Sequence, residues 1–314
     1  MKIKKEYIIL ILIIIALSGY LYFKRSDRLH YQLPELAQID TKEITGMEIL
    51  SKGESISLVR KDETWYIQPA GYPVDSKKAE AMLKVLKDLA VTEVVSEAGN
   101  YVIYELDEEN RITVKAFAGA TLVREIEIGK TAATYKHTYI RLAGDDKVYQ
   151  AKGSFRNDFD QTASELRDKQ VLSFSADEIL SVTISLAGNS ATLTREEIRQ
   201  EESQEGAQAP VKEVQWKNEK GAVVEKLKVD NLLSRLSSLR CKDYLEDRSK
   251  AGMGKPHTSV LLTGTVEHLL SLYEQEGEDT PATSSGSDYV FILTAGNLED
   301  IETSLEELTE NSGK

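Results

Sequence analysis

The chain of 314 residues has a single cysteine, Cys241, so no intramolecular disulfide can form. Histidine is scarce as well. His30, His137, His257 and His268 are scattered and show no i, i+4 pair, which removes the usual helical zinc spacing. Positive charge is in deficit: 39 Lys and Arg stand against 52 Asp and Glu, a formal net charge of −13. A body this acidic repels nucleic acid and anionic head groups, and neither is expected as a ligand. There is no G-x-S-x-G elbow, and no S-x-x-K with its partner motifs. The stretch "GMGKP" at Gly252–Pro256 invites a phosphate-loop reading. That loop needs a Gly where Ser249 stands and a Ser or Thr where Pro256 stands, so a turn leading into the strand "HTSVLLTG" is expected instead.

Hydrophobic residues make up 41% of the chain, enough for a sizeable core, and the length suits two domains. Much of the apolar character at the N-terminus sits in one run, Tyr7–Phe23, behind Lys2, Lys4 and Lys5. As a helix it rises about 25 Å, within the usable range for a membrane span. Tyr7, Tyr20 and Tyr22 lie where aromatic rings settle at head groups, and Lys5 and Lys24 can snorkel outward. A cleaved signal peptide is the competing reading, with Ala16 and Ser18 as small residues. The run, however, stays apolar through Phe23 where a cleavable signal turns polar. No cysteine stands within or directly after the run, which excludes a lipoprotein. Lys24, Arg25 and Arg28 offset the N-terminal lysines, so charge barely sets orientation. A short tail ahead of a large body favours export, and a cytosolic body is the alternative.

The remainder contains a repeat. From Gly71 and Gly221 onward the chain aligns with itself: Ala79, Met82, Leu83, Leu86 and Leu89 fall on Val229, Leu232, Leu233, Leu236 and Leu239. Both sets have the i, i+3, i+4, i+7, i+10 spacing of one apolar helix face. Trp65 falls near Trp216, and "ITGMEI" from Ile44 meets "ILSVTI" from Ile179. The polar "REEIRQEESQEGAQAP" then reads as a loop inserted in the second copy. Downstream, "TYIRLAGDDKVYQ" meets "DYVFILTAGNLED", which places Tyr139 on Tyr289. Internal duplication follows.

Each copy reads as three strands, a helix, more strands and closing helices. Alternations such as "SISLVRK", "TWYIQ" and "RITVKAF" suit half-buried antiparallel strands. Asp75 and Ser76 supply helix-capping chemistry, and Gly144-Asp145-Asp146 a turn. The expected class is α+β: an N-terminal transmembrane helix followed by a tandem duplication of an antiparallel-sheet-plus-helix unit. The expected domains are a tail and anchor at 1–28, a linker at 29–39, a first repeat at 40–172 and a second at 173–314. Disordered loops are expected near 195–213 and 274–288.

Candidate chemistry is thin. "LDEEN" at Leu106–Asn110 and "NDFD" at Asn157–Asp160 could host an acid–base pair or a calcium ion. Neither has calcium-loop spacing, and solvated surface is the plainer reading. Trp65 and Trp216 could stack on a sugar or fill the sheet–helix core, and the core is the expected place. Cys241, between Arg240 and Lys242, is expected as an inert, at least half-buried thiol and not as a nucleophile or an intermolecular bridge. No catalytic, cofactor-binding or metal-ligating residue is assigned.

The order of motifs resembles the bacterial family catalogued as domain of unknown function 4340. The features are a Trp-ending strand, a Pro-bearing turn, an L-x-x-L helix, a Y-G-L-x-x-P entry to a strand and a Y-[IV]-R-x-x-G-x-x-x-V-Y hairpin. The first copy carries Trp65, Pro69, Tyr104, Leu106, Tyr139, Arg141, Gly144, Val148 and Tyr149. It has Glu105 and Glu109 where the family favours Gly and Pro. The second keeps Gly252, Met253 and Pro256 but has Phe291 in the aligned place of the hairpin Arg. The resemblance implies an envelope protein with an N-terminal anchor, associated with ABC-type transporter components of gliding-motility-type loci, and it brings no catalytic residue. The expectation is thus a non-enzymatic extracytoplasmic binding or scaffold protein on the bacterial cytoplasmic membrane. It would contact lipid through Tyr7–Phe23 and protein partners in the envelope. The alternative is an envelope hydrolase acting on glycan or peptide through carboxylates.

Overall fold

A computed structural model describes residues 11–21, 33–186, 188–199 and 212–313. Residues 11–21 form a first helix, α1, whose large side chains are 50–62% exposed. It rises only about 16 Å. Among the described residues no helix is long and apolar enough to cross a membrane, and the rest of the expected Tyr7–Phe23 span lies outside them.

The chain divides into two compact units, Met1–Asp168 and Lys169–Lys314. In the first, strands β1 (Gly46–Ser51), β2 (Glu54–Lys61), β3 (Thr64–Gln68) and β4 (Tyr72–Pro73) precede helix α2 (Ser76–Asp88). Strands β5 (Val91–Ser96), β6 (Ile112–Ala118), β7 (Thr121–Thr131), β8 (His137–Leu142) and β9 (Val148–Lys152) follow, then short helices α3 (Arg156–Phe159) and α4 (Ala163–Leu166). The nine strands form one antiparallel sheet in the order β4-β3-β2-β1-β6-β7-β8-β9-β5. Lys52 and Gly53 join β1 to β2 with φ of 51° and 81°, the positive pair that a tight hairpin with right-handed twist requires. Met47, Ile49, Leu58, Trp65, Ile67 and Val114 point to one face and bury against Ala79, Met82 and Leu86 of α2. Asp75 caps that helix by accepting a hydrogen bond from the Lys77 amide at 3.0 Å.

The second unit repeats the path. Strands β10 (Ile179–Leu186), β11 (Asn189–Arg199), β12 (Lys212–Asn218) and β13 (Val223–Val224) lead to α5 (Lys226–Leu236). Strands β14 (Asp243–Ser249), β15 (Thr258–Gly264), β16 (Glu267–Leu272), β17 (Pro281–Ser284) and β18 (Tyr289–Ile292) then precede α6 (Ala295–Gly313). The sheet order is β13-β12-β11-β10-β15-β16-β17-β18-β14, strand for strand that of the first unit. Leu86 and Leu236 are both fully buried, as the repeat in sequence requires. The architecture is therefore α+β, with two nine-stranded antiparallel sheets in a duplicated arrangement.

Register identifies equivalent residues that the alignment missed. Arg60 lies directly opposite Trp65, and Arg195 directly opposite Trp216. Each guanidinium donates to carbonyls of the segment entering the first strand of its unit: Arg60 to Thr41 and Lys42, Arg195 to Asp177 and Ile179. The same registers correct the downstream alignment. Ile128 pairs with Ile140 and Ile140 with Tyr149, while Leu272 pairs with Ala282 and Ala282 with Phe291. Phe291 therefore takes the place of Tyr149, not of Arg141, and Tyr289 on β18 is not the counterpart of Tyr139 on β8. A shared Tyr and β-branched pattern misled the alignment, because strand shortening in the second copy shifts the register without changing composition.

The polar stretch 274–288, expected as a disordered loop, contains β17, whose four residues are all buried. Its small Pro, Ala, Thr and Ser side chains look loop-like in sequence and are enclosed by β16 and β18. Likewise β11 and β12 extend into the loop expected at 195–213, and 200–211 lies outside the described residues. In the expected linker at 29–39, Leu36 and Ile39 pack on the first core, and buried Arg124 donates to the Ala37 carbonyl.

Candidate functional site

In the first unit the segment after β5 folds over the outer face of the sheet. A 3-10 turn, Val102–Tyr104, ends at Glu105, whose φ of 55° is left-handed, and Leu106 is then driven into the interior. The fit is tight at Gly129 of β7. A Cβ there would lie 2.2 Å from the Tyr104 carbonyl oxygen, so the position admits only glycine without a shift of backbone. Tyr104 packs on Tyr139, ring centroids 4.9 Å apart. The Arg141 guanidinium sits 4.6 Å from the Tyr101 ring centre and donates to Glu127, which also pairs with Arg111 at 3.4 Å. Glu127 thereby holds the Arg141 proton more firmly than usual. Tyr101 donates its hydroxyl to the Asp146 carbonyl at 3.0 Å, and Tyr149 donates to Asp145 at 2.5 Å. That bond lowers the Asp145 carboxyl, while burial and the same bond push the Tyr149 phenol up to about 12. The hairpin motif read in the sequence is thus a latch that seats this loop.

The acidic clusters flagged in the sequence divide by role. Asp107 accepts from the Asn110 amide at 2.8 Å, its carbonyl accepts from the Arg111 amide, and its Oδ1 is buried with no partner. Glu108 is exposed. Asp160 pairs with Lys52 at 3.5 Å and Arg156 at 3.7 Å, whereas burial raises the Asp158 carboxyl. Among the described residues no group of three or more His, Cys, Asp or Glu is placed to hold a metal ion. His268 stacks on Phe174, His257 Nδ1 lies 3.0 Å from Thr258 Oγ1, and His30 is outside the described residues. Trp65 and Trp216 are buried and present no platform for a sugar. Cys241 is buried, and desolvation pushes its thiol up to about 11, the opposite of an activated nucleophile. Gly252 of "GMGKP" closes a 3-10 turn, Lys250–Gly252, and Met253–Pro256 form the irregular approach to β15.

The outer face of the second sheet was not legible as a site. Three rows cross β11, β10 and β15 side by side. The first is Ser190–Ser185–Ser259, the second Thr192–Thr183–Leu261, the third Thr194–Ser181–Thr263. The first row continues to Ser271 and Thr283, which are buried, the second to Leu269, and the third to Lys217 on one side and Glu267 on the other. In the first unit the equivalent positions carry charge: Glu48, Lys115 and Glu125 form one row, Glu127 and Arg141 another. Register thus replaces Glu127–Arg141 by Ser271–Thr283, and Glu48–Lys115–Glu125 by Thr183–Leu261–Leu269. The alternations "SVTIS", "SATLT" and "TSVLLT" were visible in sequence, but only the register brings them into line. Beyond Ser271 on the same face, Tyr273 reaches Thr283, their oxygens 3.3 Å apart. Tyr273 lines an open cavity of about 500 Å³ with Asp247, Arg248, Lys255, Glu274 and Glu276 among its walls. Arg248 and Glu276 neutralise each other through two hydrogen bonds of 2.7 and 2.6 Å.

A family model described as a domain of unknown function (DUF4340) matches residues 65–256, from the first Trp strand to the end of "GMGKP". No curated protein and no solved structure gives a match.

Proposed function

The chain belongs to the DUF4340 family, and from that premise we propose that it is a non-enzymatic, membrane-anchored binding or scaffold protein with an extracytoplasmic body, accessory to an ABC-type transporter-linked envelope complex. The observation that carries a non-catalytic role is the engagement of the ionic groups on the first unit's loop. Glu127 is shared by two arginines, Asp160 by Lys52 and Arg156, and Asp145 by Tyr149 and the Lys147 amide. Groups committed in this way hold loops and turns in place, and these three carboxylates are not available to a substrate as acid or base. The apolar α1 supports the anchor: its open side chains need cover, and the Tyr7–Phe23 run suits lipid.

The hydrolase alternative rests on Asp158, a carboxyl raised by burial two residues from Asp160, which pairs with Lys52 and Arg156. Alanine replacements at Asp107, Glu108, Asp158 and Asp160 decide between the readings. Each should complement a deletion strain as well as the intact gene, whereas removal of residues 1–28 should not. Loss of complementation by one carboxylate variant, with abundance and folding unchanged, would favour the hydrolase.

A further inference from the structure

We propose that the outer face of the first sheet is the contact through which two copies of the chain associate as a two-fold dimer. The proposal goes beyond the binding role above and does not depend on it. Register lines up one row across five strands: Tyr66, Val59, Gly46, Phe117 and Leu122. The chain neighbours Trp65, Leu58, Met47 and Ala116 are buried in the core, so the row faces outward. Tyr66, Val59 and Phe117 are only half-buried there, and Leu122 is 46% exposed. Duplication supplies the comparison. The equivalent row of the second unit is Lys217, Thr194, Ser181, Thr263 and Glu267, the polar content of a solvated strand face. A strip of Tyr, Val, Phe and Leu on the same scaffold is the composition of a surface that a partner covers.

The charges beside the strip identify that partner as a second copy. The next outward row runs Ser57, Glu48, Lys115 and Glu125. Lys115 reaches Glu125 at 3.6 Å, whereas among the described residues no hydrogen bond or ion pair engages the exposed Glu48. A two-fold axis parallel to the strands, between β1 and β6, sets Glu48 against Lys115 of the other copy and Lys115 against its Glu48. One operation thus makes two opposite-charge contacts. The same axis lays Val59 on Leu122 and Gly46 on Phe117, each twice. Gly46 leaves the centre of the strip shallow. Its backbone is not left-handed, and a Cβ there would be in ordinary contact, 3.7 Å from the Phe117 Cβ, so its own unit does not require glycine. Lys61, whose Nζ lies 5.7 Å from the Tyr66 ring centre, stands at the rim. A partner of different sequence has no reason to meet a face that is complementary to itself. Five strands about 4.8 Å apart and six residues of about 3.4 Å give a face of about 24 by 20 Å. That is less than the roughly 800 Å² per partner of a standard interface, so the dimer is weak and concentration-dependent. The net charge of −13 per copy opposes association, and screening over about 8 Å at physiological salt limits that cost.

The test is sedimentation velocity of the detergent-solubilised full chain over a range of protein concentrations, which should show passage from monomer to dimer. Glu48→Lys and Lys115→Glu, each alone, should raise the dimer dissociation constant about tenfold, because like charges then face each other across the axis. Mixing the two variants should restore the original affinity, since a mixed pair sets Lys against Glu at both contacts. Phe117→Lys should abolish the dimer, and Thr263→Lys, at the equivalent place of the second unit, should leave it unchanged. Circular dichroism and thermal melting establish that each variant is folded. A chain that stays monomeric at every concentration overturns the proposal. So does a dimer unaffected by the folded single variants, which would place the contact elsewhere, the N-terminal run included. Weakening without recovery on mixing also overturns it, because the charges then act within one copy. Loss of complementation by Phe117→Lys with the oligomeric state unchanged overturns it too and gives the face to a different protein. Recovery of the chain with membranes is independent of all these arms, so failure here leaves the anchored scaffold reading standing.

Discussion

At Glu105 the backbone adopts φ 55° and ψ 40°, a left-handed conformation that costs a side-chain-bearing residue about 1–2 kcal/mol. The family's preference for Gly there has this as its physical reason, and the chain tolerates Glu because the Tyr104–Leu106 turn is held by its neighbours. Glu105 lies 3.9 Å from Arg156 and is half-exposed, so the long pair is worth little. Glu105→Gly should therefore raise stability by up to about 1 kcal/mol, read from urea unfolding, because relief of the strain exceeds the added freedom of the unfolded chain. In the second unit the equivalent Gly252 has no positive φ, and the same logic gives no advantage to glycine there. Titration supplies a second prediction. The Cys241 thiol stands at about 11 against an ordinary 9.0, and the Tyr149 phenol at about 12 against 10.0. Both folds hold the neutral acid, so the unfolded chain loses its protons first. This contribution is complete below pH 9 and is lost as pH rises through 11 for the thiol and 12 for the phenol. Melting temperature should fall over that range, and Cys241→Ser should flatten the portion between pH 9 and 11.

Among the elements, the paired helices α2 and α5 show how far the two copies have diverged. Both bury the same face, Met82 and Leu86 in one and Leu232 and Leu236 in the other. Their N-termini differ. Asp75 caps α2 through its side chain, whereas Glu225 at the equivalent end of α5 makes no capping bond. A Glu side chain is one methylene too long for the local geometry that Asp satisfies. Asp75→Ala should cost about 1 kcal/mol, and Glu225→Asp should recover a comparable amount in the second unit. Chemical denaturation of each single variant checks both, and an unchanged midpoint for Asp75→Ala would contradict the assigned cap. The sheet edges are managed in the same manner in both units. The outermost strands β4 and β13 are two residues long, and β5 and β14 carry register irregularities that discourage pairing with another chain.

For the whole molecule the property to test is the proposed membrane attachment. If the run Tyr7–Phe23 is an uncleaved anchor, the full-length chain stays with membranes through an alkaline carbonate wash, and its intact mass includes the N-terminal lysines. A soluble mature protein beginning near Gly19 would refute the anchor. Labelling a single cysteine introduced at exposed Tyr135, in a Cys241→Ser background, with an impermeant maleimide reports orientation. Reaction in intact spheroplasts is expected for an extracytoplasmic body, and reaction only after lysis would place the body in the cytosol.

The α+β class, the duplicated helix face and the burial of both tryptophans were legible in the chain itself, because period and spacing encode which side of an element faces a core. Glu105 and Gly129 were partly legible, the first as a departure from a family motif and the second only as a glycine in a strand. The strand order, the true counterpart of Tyr149, the buried strand Pro281–Ser284 and the hydroxyl-rich rows on the second sheet were decided by tertiary structure. Each depends on register between strands distant in sequence, and a shift of a few residues leaves local composition unchanged while choosing new neighbours. Hydrophobic period is a property of one segment and can be read from it, but which hydroxyl lies beside which is a property of pairs.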